Sequence, residues 1–537
     1  MGNRVMPRWQ NKQRTITRDI ADWRAPRVAS EGDPVARFAA MGRIYGEILG
    51  SRRAPGVLTL GSAWSFSRLL SGDATTIATD GMDPIWRLPH DLALPSPENP
   101  DGAMVLVGGG ARLGALNAFL EGDHRPGDLS LRTSGSHDGQ SVAGMIGTGS
   151  HGSTLGFGAF QNQIKGLHLV TGPGRSVWLE PYPILDPAII AAISTEPPIR
   201  DAALFDGALV HLGGMGIVSA ALLEAAPFFL IDVVKTMKRL TAADIAMLAK
   251  GDFRGFAASC GRDEMPYHLE IVLDPYAPFE GEGPEPRRGG RHEAMITFHF
   301  RVPDWDMPVR GMIVPASQRR EFDRIYDGPL GRMIIRVGRR FAGDLFNLIP
   351  PQTLYPILST DFRRYLGQMR LSWGRATGPY VPRTFGGIEV PLHNDSFAFA
   401  RSDLETALRR MTGAFRARGG GHLVMTLRFV SQAAGAMAFT RFPETVVVNC
   451  DGVRTTRSQA AVRRILAALE RDPAIPFSQH WGKMGEFTQG RLRREYGDPG
   501  DPRPSRARRW REARETLLDP AMRAAFASDG LREWGLA

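Results

Sequence analysis

Cysteine is nearly absent. Cys260 and Cys450 are the only two in 537 residues, which excludes a disulfide framework and any cysteine-built zinc or iron–sulfur site. Histidine is sparse, at 12, and no HxxxH or similar ligand cluster occurs, so no metal is expected. Long apolar runs are missing too. The most hydrophobic window, residues 215–234, carries Glu224, Pro227 and Asp232 and is unfit to span a bilayer. The opening MGNRVMPRW has no apolar stretch of the secretory kind, so the expected compartment is the cytoplasm. Lysine is rare: Lys12, Lys165, Lys235, Lys238, Lys250 and Lys483 are all there are, and the formal charge of +10 rests on arginine. Those arginines are dispersed among 56 acids rather than gathered in a stripe, which argues against a nucleic-acid partner.

Glycine, by contrast, is abundant at 61 residues, and it clusters. The segment SGSHDGQSVAGMIGTGSHGS at residues 134–153 alternates Gly135, Gly139, Gly144, Gly147, Gly149 and Gly152 with hydroxyl residues, around His137 and His151. Glycine adds backbone entropy and removes packing groups, so neither a good helix nor a good strand is expected there. Such a segment offers backbone N–H groups and small hydroxyls at close range, which is how a chain wraps an anionic dinucleotide. Val142, Ala143, Met145 and Ile146 thread apolar groups through it, so it is expected to be packed.

The chain is long for one core, so two domains or one two-lobed enzyme is expected. Residues 34–50 read as an amphipathic helix, with Val35, Phe38, Met41, Ile44, Tyr45 and Ile48 on one face. Strands are expected at 57–60 and 104–107, a helix at 113–120, a hairpin of 167–171 with 176–179 around a Gly-Pro-Gly turn, and a helix near 202–209. The glycine turn GGMGIV at 213–218 then enters an apolar strand. Composition changes after about Ile231. The Pro/Gly/charge-rich residues 275–291 read as an exposed loop. Residues 332–357 form a basic amphipathic stretch, read as a lid helix with a solvated arginine face; it also leaves peripheral membrane contact open.

VLVGGGARLG at 105–114 imitates a dinucleotide fingerprint, but its spacing is wrong and no acidic residue ends a second strand at the required distance. An NAD site is rejected there. The loop GSAWSF at 61–66, the segment 136–153, the hairpin and the turn at 213–218 occur in an order that resembles the vanillyl-alcohol-oxidase superfamily of FAD enzymes. HWGK at 480–483 is similar to the HWxK motif of its aldonolactone and alditol oxidase branch. The resemblance covers the first 230 residues and islands around 428 and 480. It implies an α+β, two-lobed FAD-binding PCMH-type fold with an inserted α/β cap domain. The expected division is 1–230 for the FAD domain, 231–470 for the cap, and 471–537 returning to the FAD domain.

The same resemblance implies where ligands go. Gly61, Ser62, Ala63, Trp64, Ser65, Phe66, Gly135, Ser136, Gln140, Ser141, Gly144, Thr148, His151 and Gly152 would hold the pyrophosphate and flank the flavin. Gly216, Ile217 and Val218 would meet the adenine and ribose. Trp64 stands where relatives often carry a flavin-linking histidine, so FAD is expected to be non-covalent. His151 matches a histidine read as structural. The Glu-x-Arg pair of polyol-oxidising relatives corresponds to Thr426-Leu427-Arg428, which keeps only the arginine, and Asn449 replaces a histidine. Ser136, Thr426 and Asn449 are the expected substrate contacts. The expected reaction is hydride transfer from a CH–OH group of a sugar lactone, polyol or other alcohol to flavin. Dioxygen is the expected acceptor, favoured by Gly135 at the position that controls oxygen access in relatives. Lys483 and Arg428 would stabilise negative charge, and His480 would accept the proton, with Glu389 as a fallback base. A dehydrogenase of a lipophilic alcohol passing electrons to a quinone or cytochrome, and a non-catalytic flavin-binding module, are the alternatives.

Overall fold

A computed structural model describes residues 9–124, 127–135, 137–283, 292–302, 350–377, 391–498, 500–501 and 503–537, with the backbone of two short strands, Thr384–Phe385 and Ile388–Glu389. Ser136, the side chain of Glu389, residues 332–349 of the basic stretch and residues 284–291 of the Pro/Gly-rich loop lie outside the described residues.

After a short antiparallel pair, Trp9–Gln10 with Thr17–Arg18, comes a three-stranded parallel sheet in which Ala74–Ala78 lies between Asp22–Arg24 and Gly56–Leu60. Helix Pro34–Gly50 connects the outer strands. Asp33 caps it by accepting from the Ala36 N–H at 2.7 Å, Pro34 opens it, and Phe38, Met41, Tyr45 and Leu49 form its buried face. A seven-stranded sheet follows, running from Ile199–Arg200 through Arg175–Glu180, Ile164–Gly172, Ile217–Pro227 and Ala103–Gly108 to Ile85–Arg87, with Leu129–Ser130 pairing the end of Ile217–Pro227. Ala103–Gly108 pairs antiparallel on both sides, unlike the parallel strand a dinucleotide fingerprint requires.

The glycine-rich segment departs from expectation: Val142–Thr148 is helical. Val142, Met145, Ile146 and Gly147 are buried there, and tertiary packing outweighs the glycine cost of about 1 kcal/mol per residue. A Cβ on Gly147 would collide with the His211 ring, so this glycine permits close approach.

An eight-stranded antiparallel sheet comes next, in the order Gly367–Ser372, Leu230–Lys238, Ala294–Val302, His268–Leu273, Leu423–Ser431, Glu444–Val453, Leu392–Ala400 and Phe477–Gln479. Strand Phe477–Gln479 belongs to this sheet although it lies in the stretch expected to return to the FAD domain. Alternation divides the sheet's two faces. Leu269, Ile271, Ile296, Phe298, Leu427, Phe429, Val446 and Val448 pack beneath helices Leu404–Arg416 and Thr456–Glu470, and each large apolar side chain buried there contributes about 1.5–3 kcal/mol. Their sequence neighbours point to the other side, into a cavity. Helix Arg506–Leu517 then returns to Ala202–Leu209, where the Trp510 indole N–H donates to the Val210 carbonyl at 3.0 Å.

Candidate active site

The cavity between the glycine loops and this second sheet face has a volume of about 880 Å³. All six residues of 61–66 line it, as do Gly135, Gln140, Ser141, Gly144, Thr148, His151, Gly152, Ile217 and Val218. So do Thr426, Arg428, Asn449, His480 and Lys483. Among the described candidates only Gly216 is outside the lining; its φ of +90° and its approach to the Val170 carbonyl give it a turn role at the start of the strand.

Loop 61–66 is held by residues far away in sequence. A Cβ on Gly61 would land on the Ser141 hydroxyl, so the two glycine-rich stretches touch only because this position has no side chain. Ser62 donates to the Gly139 carbonyl. Ala63 is left-handed, with φ +56°, a conformation costing a non-glycine residue roughly 1–2 kcal/mol. Its carbonyl accepts from the Lys12 N–H at 3.1 Å, and the Phe66 N–H donates to the Gly482 carbonyl at 2.9 Å. The second bond ties the loop directly to HWGK. Trp481 anchors that motif: it is fully buried, its N–H donates to the Met437 carbonyl at 2.7 Å, and it stacks on Phe487 at 4.4 Å. His480 and Lys483 are thereby presented to the cavity. The Trp64 ring lies 4.6 Å from His137, with the Lys12 ammonium 4.8 Å from its centroid.

These residues fit FAD. The Gly61–Ser141 contact leaves a cradle that any larger side chain would fill. Gln140 Oε1, beside it on the wall, is buried without a hydrogen-bond partner, as expected of a group reserved for a polar ligand. The loops at 61–66 and 135–152 would hold the phosphates and flavin, with Ile217 and Val218 nearby. Among the described residues no group of three histidine, cysteine or acidic side chains could hold a metal ion, and no helix is long and apolar enough to cross a membrane.

Electrostatics divide the polar residues. Burial pulls the Lys483 ammonium down to about 8, against the attraction of Asp451; its Nζ donates to Asn449 Oδ1 at 3.3 Å, which also accepts from Ser396 Oγ at 2.5 Å. Burial, with the nearby Lys483 charge, holds His480 well below the usual imidazole range. Its Nδ1 accepts from the Gly482 N–H at 3.0 Å, which places the proton of the neutral ring on Nε2. The geometry therefore makes His480 a donor and a poor proton acceptor. His151, pulled down to about 3 by burial, faces the Gly152 carbonyl at 3.0 Å through Nδ1.

Three wall residues were missed from sequence. Glu270 sits directly opposite Arg428 in the strand register, and Arg428 Nε and a terminal nitrogen reach Glu270 Oε2 at 2.7 and 2.6 Å. A carboxylate on the adjacent strand thus pairs with Arg428. Asp451 accepts from Thr426 Oγ1 at 3.3 Å through Oδ2, while its Oδ1 is buried without a partner. His211 bonds the Ala143 carbonyl through Nε2 at 3.0 Å and accepts from the Gly213 N–H at 2.9 Å, pinning helix Val142–Thr148 to the glycine turn. Period-two alternation in 268–272 was the available signal for Glu270; none marked His211.

No family model matches the chain. It is 30% identical to the D-arabinono-1,4-lactone oxidase of Saccharomyces cerevisiae over 173 residues, 32% of this chain and 28% of the yeast protein. It is 26% identical to the L-gulono-1,4-lactone dehydrogenase of Mycobacterium tuberculosis over 197 residues, 35% of this chain and 38% of that protein. The matched stretch thus spans roughly a third of each relative's length. In structure it aligns with cholesterol oxidase from B. sterolicum at TM-score 0.63 and 13% identity, covering 98% of this chain and 96% of that one. A solvent-stable cholesterol oxidase aligns at TM-score 0.62 and 14% identity, covering 98% and 97%. The chain has the fold of these cholesterol oxidases. That bears out the resemblance drawn from loop 61–66, segment 136–153 and HWGK.

Proposed function

We propose that this protein is an FAD-dependent oxidoreductase that converts a CH–OH group to a carbonyl, with dioxygen as the terminal acceptor. The observation that carries the reading is one cavity in which glycine loops suited to a dinucleotide face the polar edge Arg428–Asn449–Lys483. Bound FAD would supply the two-electron acceptor, taking the carbinol hydride as the hydroxyl proton leaves; reoxidation by dioxygen yields hydrogen peroxide and balances the cycle. Lys483, charged below about pH 8, stabilises negative charge developing on the substrate oxygen, and Arg428 adds to that field. Asp451 Oδ1, the buried carboxylate oxygen without a partner, is better placed to take the hydroxyl proton than Glu270, whose Oε2 is already engaged by Arg428.

Trp64 cannot form a histidyl-type bond, which supports non-covalent FAD. The protein's absorption spectrum before and after acid precipitation tests both points: flavin bands are expected, and they should move to the supernatant. Absence of flavin after reconstitution with FAD would defeat the reading. The relative named a dehydrogenase favours a second version, in which a quinone or cytochrome replaces dioxygen; the two separate by the rate at which air and a soluble quinone reoxidise the reduced protein. The intact charged edge supports catalysis over a purely binding role.

A further inference from the structure

The cavity wall beyond the redox edge is built of hydrocarbon. The cross-strand row that contains Asn449 continues through Thr426 and Val272 to Met295, each residue directly opposite the next. Val424 lies two residues before Thr426 on its strand and also faces the cavity. Helix Leu354–Phe362 closes over this end of the sheet and presents Leu354, Leu358 and Phe362 to the same cavity. Val272, Leu354 and Leu358 stay only half-buried although they line an interior space. Apolar surface in that position is stabilised by whatever covers it.

The neighbouring row cannot turn this wall into a sugar site. It runs Lys235–Thr297–Glu270–Arg428 across four strands. Glu270 and Arg428 bond each other, and the Lys235 ammonium lies over the Phe362 and Tyr365 rings at 5.4 and 5.9 Å. A polyol stretched along the apolar row would place successive hydroxyls against hydrocarbon, where unmade hydrogen bonds oppose binding.

We infer that the substrate is an alcohol with an extended apolar body: its carbinol lies at Arg428, Asn449 and Lys483, and its body covers Val272, Met295, Val424 and the Leu354–Leu358–Phe362 face. The inference rests on the oxidation reading above and narrows its substrate class. The occupant is set by continuity, because the row turns apolar at Val272, two strands from Asn449, in the same cavity. Three strand spacings, roughly 14 Å, separate Asn449 from Met295, which sets the length of body the wall accommodates.

The test is equilibrium dialysis of the oxidised holoprotein against butan-1-ol, hexan-1-ol, octan-1-ol, decan-1-ol and xylitol, paired with anaerobic flavin bleaching by each. Affinity should rise about fourfold per added methylene, and decan-1-ol should bind far more tightly than xylitol. Leu358→Asp should weaken decan-1-ol roughly tenfold and leave butan-1-ol within about twofold, with the flavin spectrum reporting an intact fold. If that variant fails to fold, Val272→Thr, close in shape but polar, should weaken decan-1-ol about threefold. A flat series, or xylitol binding more tightly than decan-1-ol, would overturn the inference. Bleaching by xylitol but by none of the alkanols would overturn it and leave the oxidation reading standing. Tight decan-1-ol binding without bleaching by any alcohol would uphold the apolar-body site and overturn the oxidation reading.

Discussion

The two walls of the cavity use opposite strategies. On the glycine-loop wall the backbone is the working surface: loop 61–66 meets Ser141, the residue that opens helix Val142–Thr148, through Gly61, and the loop's geometry is held by main-chain bonds to Lys12 and Gly482. On the cap wall the backbone is an ordinary antiparallel ladder, and only side chains of alternate residues on neighbouring strands face the ligand. A backbone surface tolerates few substitutions and repeats in recognisable motifs. A side-chain surface is assembled across strands, so Arg428 finds its carboxylate partner, Glu270, on the next strand. The lesson is that main-chain shape builds one wall of the cavity and side-chain alternation the other.

Changes to each wall should therefore fail differently. The largest effect is expected from Lys483→Met, which removes a buried cation at the redox edge while leaving the glycine loops intact. Flavin reduction in stopped flow should slow by about 10²–10³-fold with FAD still bound; unchanged reduction would remove Lys483 from the chemistry. On the opposite wall, Gly61→Val drives a side chain into Ser141, and FAD retention on gel filtration should fall by at least roughly tenfold. A cap-wall variant with that phenotype would blur the contrast.

Arg428→Ala leaves the Glu270 carboxylate unpaired at the cavity, with an expected cost of about 2 kcal/mol in urea unfolding. Arg428→Met combined with Glu270→Gln should recover part of that stability but not the reduction rate. Lys483 also gives a pH signature. Its pKa is lowered to about 8, so the reduction rate should decline as pH rises through about 8 and the cation is lost; Lys483→Arg should carry its plateau to higher pH.

The smallest effect lies behind both walls. Burial pushes the Glu495 carboxyl up to about 8, against the pull of Arg491 and Arg441. The folded protein then binds more protons than the unfolded chain between about pH 4 and pH 8, so this group lowers stability progressively as pH rises through that window. Glu495→Gln should flatten the decline, with little change at pH 4 and a gain at pH 9 in the thermal midpoint. An unaltered pH–stability curve would mean that Glu495 does not titrate as a buried acid.

Legibility followed the same division. Helix 34–50, the strand near 57–60, the hairpin around residue 172 and helix 202–209 were readable because capping, turn chemistry and apolar periodicity act over a few residues. Loop 61–66 and HWGK were readable as motifs. Their contact through Phe66 and Gly482 was not, because no local signal links chain segments so far apart. Helix Val142–Thr148 was misread because glycine's intrinsic cost is local, whereas the packing that overrides it comes from the surrounding structure. Residue type suggests His480 as a proton acceptor; the Gly482 N–H at its Nδ1 and its burial, which argue against that, are tertiary.

Sequence by itself determined which kind of cofactor surface this chain could build, because glycine spacing acts on the backbone locally. Tertiary structure alone decided what faces that surface. Glu270, Asp451, Val272 and Met295 acquire meaning from strand register, which places residues distant in the chain about 5 Å apart and selects by alternation which of them meet the ligand.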